Sequence, residues 1–283
     1  MARPYRSVLY IPAANARAME KAQNLPADAI IFDLEDAVSP TEKAIAREGL
    51  ESALAGDYGS RARILRINGL DSEWGRDDAL ACGGQLNGVV DAVLVPKVNA
   101  AADLDLVAGM VPDLPLWAMM ETPVAMLNAA EIAAHPRLEG MVMGTNDLAK
   151  ELNSRFRPDR LPMQAGLGLC LLAAKAHGKV IVDGVYNAFK DDDGLRVECE
   201  QGRDMGFDGK TLIHPAQLSI ANECFAPSET EIELARRQID AFEQAMALGK
   251  GVAVVDGKIV ENLHVVTARK TIERADAIAA MAG

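Results

Sequence analysis

The sequence predicts an α/β fold, a (β/α)8 TIM barrel carrying a C-terminal helix-hairpin-helix extension, on three observations. Short runs rich in Val and Ile recur eight times within the first 215 residues, each followed by a longer stretch with helical spacing, the alternation of a parallel sheet. The runs IIFDL, AVLVP and VIVDG read as continuous apolar runs rather than alternating ones, as strands buried on both faces do. Eight such units suit the barrel, which takes about 250 residues with its loops.

The expected strands are Ser7 to Ile11, Ala29 to Leu34, Arg63 to Ile67, Ala92 to Val95, Leu116 to Met120, Gly140 to Met143, Val180 to Asp183 and Gly209 to Ile213. A doubly wound open sheet is the alternative. Against it, the first strand runs into IPAANARAME, which lacks the glycine fingerprint of dinucleotide folds. The one glycine-rich stretch, GLGLC at Gly166 to Cys170, sits in a helix-like segment and reads as packing. The barrel is expected to occupy residues 1–224 and the extension residues 225–283. Within the extension, Ser228 with Glu231 forms a capping box that opens a helix to about Leu248. Asp256-Gly257 then signals a tight hairpin, and an amphipathic helix covers Asn262 to Met281. Such a tail either plugs one barrel end or packs as a lid on a neighbouring subunit.

Composition narrows the function. Lys and Arg number 29 against 41 Asp and Glu, so the net charge of −12 repels polyanions and argues against nucleic acid. The four cysteines are scattered, which fits neither a zinc site nor a disulfide scaffold and suits a reducing cytoplasm. No run of about 18 apolar residues occurs, so no membrane span is expected.

In such barrels the reacting groups sit at the C-terminal strand ends. Those positions hold Tyr10, Glu35, Asp36, Arg66, Asn68, Lys97, Glu121, Asn146, Asp147, Asp183 and His214. Singly, Asp36 or Asp147 would read as a helix cap. Five carboxylates at one mouth, without His or Cys beside them, instead call for a hard cation, for which Mg²⁺ is the natural choice and Mn²⁺ a second. Glu121 and Asp147 are the expected ligands, with Glu35, Asp36 and Asp183 holding metal-bound water. Arg66 offers a planar fork for a substrate carboxylate.

The motifs RSVLYIP, FDLEDAV, RING, VPKV, MMETP, MGTNDLA and GFDGKTLIHPAQ resemble the citrate lyase β-subunit-like branch of the HpcH/HpaI aldolase family, across nearly the whole chain. The tail VVDGKIVENLHVVTAR is similar to that of its malyl-CoA lyase and malyl-CoA thioesterase group. The resemblance implies homotrimers or hexamers acting on the CoA thioester of a small hydroxy dicarboxylic acid. It implies Mg²⁺ on Glu121 and Asp147, and the acyl carboxylate on Arg66. Tyr10, Lys21, Asn146 and the Ile213-His214 turn would line the substrate or CoA path. Arg3, Arg6, Arg17 and Lys21 supply the cations that CoA needs. The lyases carry Arg where this chain has Asn15, and an acid/base Asp where it has Glu261. One added methylene moves a carboxylate by roughly 1 Å, enough to change a rate about 100-fold. Hydrolysis of malyl-CoA through Glu261, with Arg66 and Asp36 beside it, is therefore the leading expectation. Retro-Claisen cleavage comes second, and a non-CoA pyruvate aldolase is a remote third.

Overall fold

The computed structural model describes residues 3–111 and 113–282, so the outermost bounds of the two expected domains, Met1 and Gly283, lie outside it. Eight parallel strands close a barrel in chain order: β1 (Ser7–Pro12), β2 (Ala29–Asp33), β3 (Ala62–Arg66), β4 (Ala92–Val95), β5 (Leu116–Met120), β6 (Leu138–Met143), β7 (Val180–Asp183) and β8 (Gly209–Leu212). Closure is the β1–β8 ladder, in which Val8 pairs with Thr211. Three strands match the sequence reading and the others shift by one or two residues. The start of β6 moves to Leu138 because that residue pairs with Leu116 across a register shift, which the apolar pattern cannot reveal.

Strand side chains alternate between faces, and this period decides which polar residues enter the barrel. Val8, Ile31, Ile64 and Met119 belong to one buried cluster. Two steps toward the C-terminal end of the same strands come Tyr10, Asp33, Arg66 and Glu121, so these four extend the interior rows into the catalytic mouth. GLGLC lies inside the helix Gln164–Ala176 with Cys170 buried, as packing requires.

The chain divides into two compact units, Tyr5–Cys224 and a second that joins the segment from Phe225 onward with the N-terminal residues up to Pro4. The second has its own core of Ala245, Ala253, Val255, Val260 and Val265. Its helix Glu229–Ala247 opens on a capping box: Glu231 N–H donates to Ser228 Oγ at 3.2 Å, and Ser228 N–H to Glu231 Oε2 at 2.7 Å. Strands β9 (Ala253–Val255) and β10 (Lys258–Val260) form the hairpin, whose turn residues Asp256 and Gly257 both have positive φ, 49° and 73°. That geometry is why the tight turn takes Asp-Gly. Arg237 clamps Asp256 through two hydrogen bonds of 2.7 and 2.9 Å. The helix Asn262–Ala282 follows.

Candidate active site

A cavity of about 270 Å³ opens at the C-terminal mouth, and Tyr10, Asp36, Arg66, Glu121, Asn146, Asp147 and Ile213 line it as the sequence reading expected. Asp33 lines it as well, and the sequence reading missed it. It lies two residues on from Ile31 in an otherwise apolar strand, and that phase was the signal that could have found it.

Asp33 changes the reading of Arg66. Its carboxylate takes the guanidinium side-on, with Nε and Nη2 each donating at 2.7 Å, and both side chains are buried. The fork expected for substrate is thus engaged inside the protein. At the other end, Nη1 lies 2.8 Å from Glu35 Oε2 and donates to Asp36 Oδ2 at 3.4 Å, and the Tyr10 ring centroid lies 5.0 Å from Arg66 Cζ. Burial works against the Arg66 charge, but the acidic groups around it, Asp33 foremost and Glu35 with it, together outweigh that and raise its pKa further. Burial, aided by Asp33 and Glu121 and opposed by Arg66, pushes the Tyr10 phenol well up, so it stays protonated at any working pH.

Glu121 ends β5 and is 2% exposed. Its Oε1 accepts the Lys97 N–H at 2.7 Å. Its other oxygen lies against Gly144, where an added Cβ would sit 2.7 Å from Oε2 and 2.3 Å from the Glu121 Cβ. Gly144 caps the helix Thr145–Glu151, whose first turn carries Asp147. Only a residue without a side chain lets that helix start so close to Glu121. Gly144→Ala is therefore expected to weaken Mg²⁺ binding at least tenfold, on the order of what an outer partner of a ligand contributes, and to lower the melting temperature as well, because the buried Glu121 Cβ or the helix start must shift. Calorimetric titration of the variant with Mg²⁺ checks this.

Acids outnumber bases at the mouth. Asp33, Glu35, Asp36, Asp71, Glu121 and Asp147 line this cavity and the adjoining one beside Lys43, Arg66 and Lys97, six acids against three bases. Burial, then Glu35 nearby, push Glu121 up to about 7, with the Lys97 N–H and Arg66 opposing. Glu35 is 7% exposed and also raised, by burial against the pull of Arg66 and Lys97. Its Oε2 lies 2.8 Å from Arg66 Nη1 but off the donor direction, and is buried without a hydrogen-bond partner. Buried acids in excess of the bases beside them, all offering oxygen donors, fit a site built around a hard cation and its waters. Among the described residues no three carboxylate, imidazole or thiol groups form a closed cage. Two carboxylates with open positions are the arrangement Mg²⁺ favours.

Two expectations need correction. Asp183 does not line the cavity. It is fully buried, and both of its oxygens accept from Arg160 Nη1 at 2.7 Å, with Lys210 Nζ at 3.2 Å, so it joins a buried ion cluster instead of holding metal-bound water. Arg6 leaves the basic cluster: it precedes β1 and pairs with Asp28 at 2.7 Å before β2, at the N-terminal end of the barrel, opposite the mouth. Asn15 caps the helix Ala16–Ala22 by accepting the Ala18 N–H at 3.0 Å. Arg17 and Lys21 on that helix are exposed.

The rim is tied by groups the sequence did not single out. Gln217, 1% exposed, accepts from Ile213 N–H at 3.0 Å and His214 N–H at 3.2 Å, and donates to the Tyr186 carbonyl at 2.9 Å. His214 stacks on Phe189 at 4.8 Å, and Asn146 exchanges amide hydrogen bonds with Asn187. Glu261, in the second unit, is exposed just before the final helix, its N–H held by His264 Nδ1 at 3.0 Å.

Residues 6–215 match the family model described as HpcH/HpaI aldolase/citrate lyase. The chain belongs to that family. It is 70% identical to a (3S)-malyl-CoA thioesterase of Cereibacter sphaeroides, over 99% of this chain and 97% of that one. It is 32% identical to the L-malyl-CoA/beta-methylmalyl-CoA lyase of Cereibacter sphaeroides, over 99% and 97%. Among solved structures, this member of the HpcH/HpaI family resembles protein CitE of Mycobacterium tuberculosis in complex with magnesium, acetoacetate and coenzyme A. The TM-score there is 0.79 at 28% identity, covering 97% of this chain and 98% of the other.

Proposed function

We infer that this chain is a Mg²⁺-dependent hydrolase of (3S)-malyl-CoA, releasing malate and free CoA. The observation that carries the reading is 70% identity to a (3S)-malyl-CoA thioesterase across 99% of the chain. The carboxylate-rich mouth supports it. Glu121 and Asp147 would hold the cation, and Mn²⁺ would suit the same oxygens. Bound there, Mg²⁺ would gather the oxygens of the acyl group and offset negative charge developing at the carbonyl. Arg66 receives the acyl carboxylate, with Tyr10 beneath it. Asn146, Ile213 and His214 border the thioester, and Arg17 with Lys21 meets the CoA phosphates. Asp36, with its side chain 64% exposed, is an acid/base group at the cavity wall.

Glu261 of a neighbouring copy takes a proton from water as the water oxygen bonds the thioester carbon. The C–S bond breaks, and the thiolate leaves as CoA after gaining a proton. The tail thus completes a partner's site in a homotrimer or hexamer. All four cysteines are free and buried, which suits the cytoplasm, and no described helix is long and apolar enough to cross a membrane.

Retro-Claisen cleavage to glyoxylate and acetyl-CoA is the second reading, supported by the full-length similarity to a malyl-CoA lyase. Incubation with (3S)-malyl-CoA and Mg²⁺, with and without EDTA, decides between them by product chromatography. Malate with CoA supports hydrolysis, glyoxylate with acetyl-CoA supports the lyase, and neither pair would sink both. Glu261→Gln is expected to lower hydrolysis about 100-fold or more, the scale of a lost general base, with Mg²⁺ affinity kept. Mixing Glu261→Gln subunits with Glu121→Gln subunits should restore part of the activity, because mixed oligomers contain some sites with both residues intact. No recovery after subunit exchange would argue against a shared site.

A further inference from the structure

Lys97 follows β4 with a backbone φ of 50°, a left-handed conformation uncommon for a residue with a side chain. Such a conformation is strained and persists only where its surroundings hold it. Here the turn directs two groups of one residue at two carboxylates. The N–H donates to Glu121 Oε1 at 2.7 Å, and Nζ donates to Glu35 Oε1 at 2.9 Å.

These bonds sort the oxygens of both carboxylates. Glu121 is left with Oε2, the atom beside Gly144 at the start of the helix that carries Asp147. Glu35 is left with Oε2, a buried atom 2.8 Å from Arg66 Nη1. Each acid therefore has one oxygen tied to Lys97 and one without a tie to it.

Stability does not account for the arrangement. The Lys97 side chain is 53% exposed, and half-exposed ion pairs contribute little once the entropy of fixing a long side chain is counted. Its partner is 8% exposed, so the ammonium reaches inward to a buried acid rather than lying on the surface.

We propose that Lys97 is the positioning residue of the cation site, its main-chain N–H fixing which oxygen of Glu121 faces the metal and its ammonium holding Glu35 in register beside it. The inference rests on Glu121 as a Mg²⁺ ligand.

Charge and positioning predict opposite outcomes on removing the ammonium, which makes a sharp test. Lys97→Met deletes a positive charge close to a cation site, so Coulomb repulsion alone predicts tighter Mg²⁺ binding. Positioning predicts weaker binding, by about tenfold or more, the usual loss when a partner of a ligand is removed. Mg²⁺ is titrated into the full-length parent, Lys97→Met and Lys97→Arg, with binding read by calorimetry and folding by metal-free thermal melting. The proposal expects Lys97→Met to lose about tenfold or more in affinity at an unchanged melting temperature, and Lys97→Arg, which can still reach Glu35, to recover most of it. Equal or tighter binding by Lys97→Met overturns the positioning role and leaves the metal assignment standing. A parent that binds no Mg²⁺ overturns both.

Discussion

Replacing Glu121 by Gln is expected to abolish Mg²⁺ binding and to lower thioester turnover about 1,000-fold or more, equivalent to roughly 4 kcal/mol of barrier. The geometry makes the isosteric change severe. The Lys97 N–H must find an acceptor at the Oε1 position, so the amide oxygen of Gln settles there. The NH2 group is then forced into the Oε2 position beside Gly144, where it presents hydrogens to the cation. Folding should not suffer. Burial and Glu35 disfavour the Glu121 charge and hold its pKa up at about 7, so a neutral amide relieves an unfavourable term in the metal-free protein. A melting temperature at or above the parent's, together with a flat Mg²⁺ titration, is the expected pair of results. Retained Mg²⁺ affinity would remove Glu121 from the site.

The second large effect concerns stability. Asp183 sits at the end of β7 in a fully buried cluster with Arg160 and Lys210, and Glu198 completes it at 2.6 Å from Lys210 Nζ. Removing one partner from a buried ion cluster strands the others and costs about 3–5 kcal/mol. Asp183→Asn should therefore lower the melting temperature by roughly 10 °C, at about 2–4 °C per kcal/mol for a domain of this size. Loss of activity without loss of stability would return Asp183 to the catalytic mouth. Burial alone would raise the Asp183 pKa, but Lys210 and Arg160 outweigh it and hold the value below the usual carboxylate range. A depressed folded-state pKa gives stability that is full above the unfolded value, near about 4, and is lost as pH falls through the folded value. Melting temperature should accordingly drop more steeply below about pH 4 in the parent than in Asp183→Asn, which cannot lose that contribution.

Much of the molecule was legible in the chain because its signals are local. Eight apolar runs gave the barrel, Ser228 with Glu231 gave a helix start, and Asp-Gly gave the hairpin turn, each through chemistry confined to a few neighbouring residues. The strand-end rule then placed Tyr10, Arg66, Glu121 and Asp147 near one mouth without any knowledge of how the strands pair. Asp183 shows where that rule fails. The end of a strand has two faces, and position along the sequence does not say whether a carboxylate enters the mouth or turns toward a buried arginine 23 residues upstream in the chain.

By itself, then, the sequence determined the barrel, the surplus of carboxylates at its mouth and the family to which the motifs belong. These follow from residue type, spacing and period. Only the tertiary structure decided how the charges pair: Asp33 on the fork of Arg66, Asp28 on Arg6, Arg160 and Lys210 on Asp183, and Lys97 between Glu35 and Glu121. The physical reason is that ion pairing depends on distance and on burial together. Both are set by closure of the sheet, which brings Lys97 and Glu35 to within 2.9 Å across 62 residues of chain.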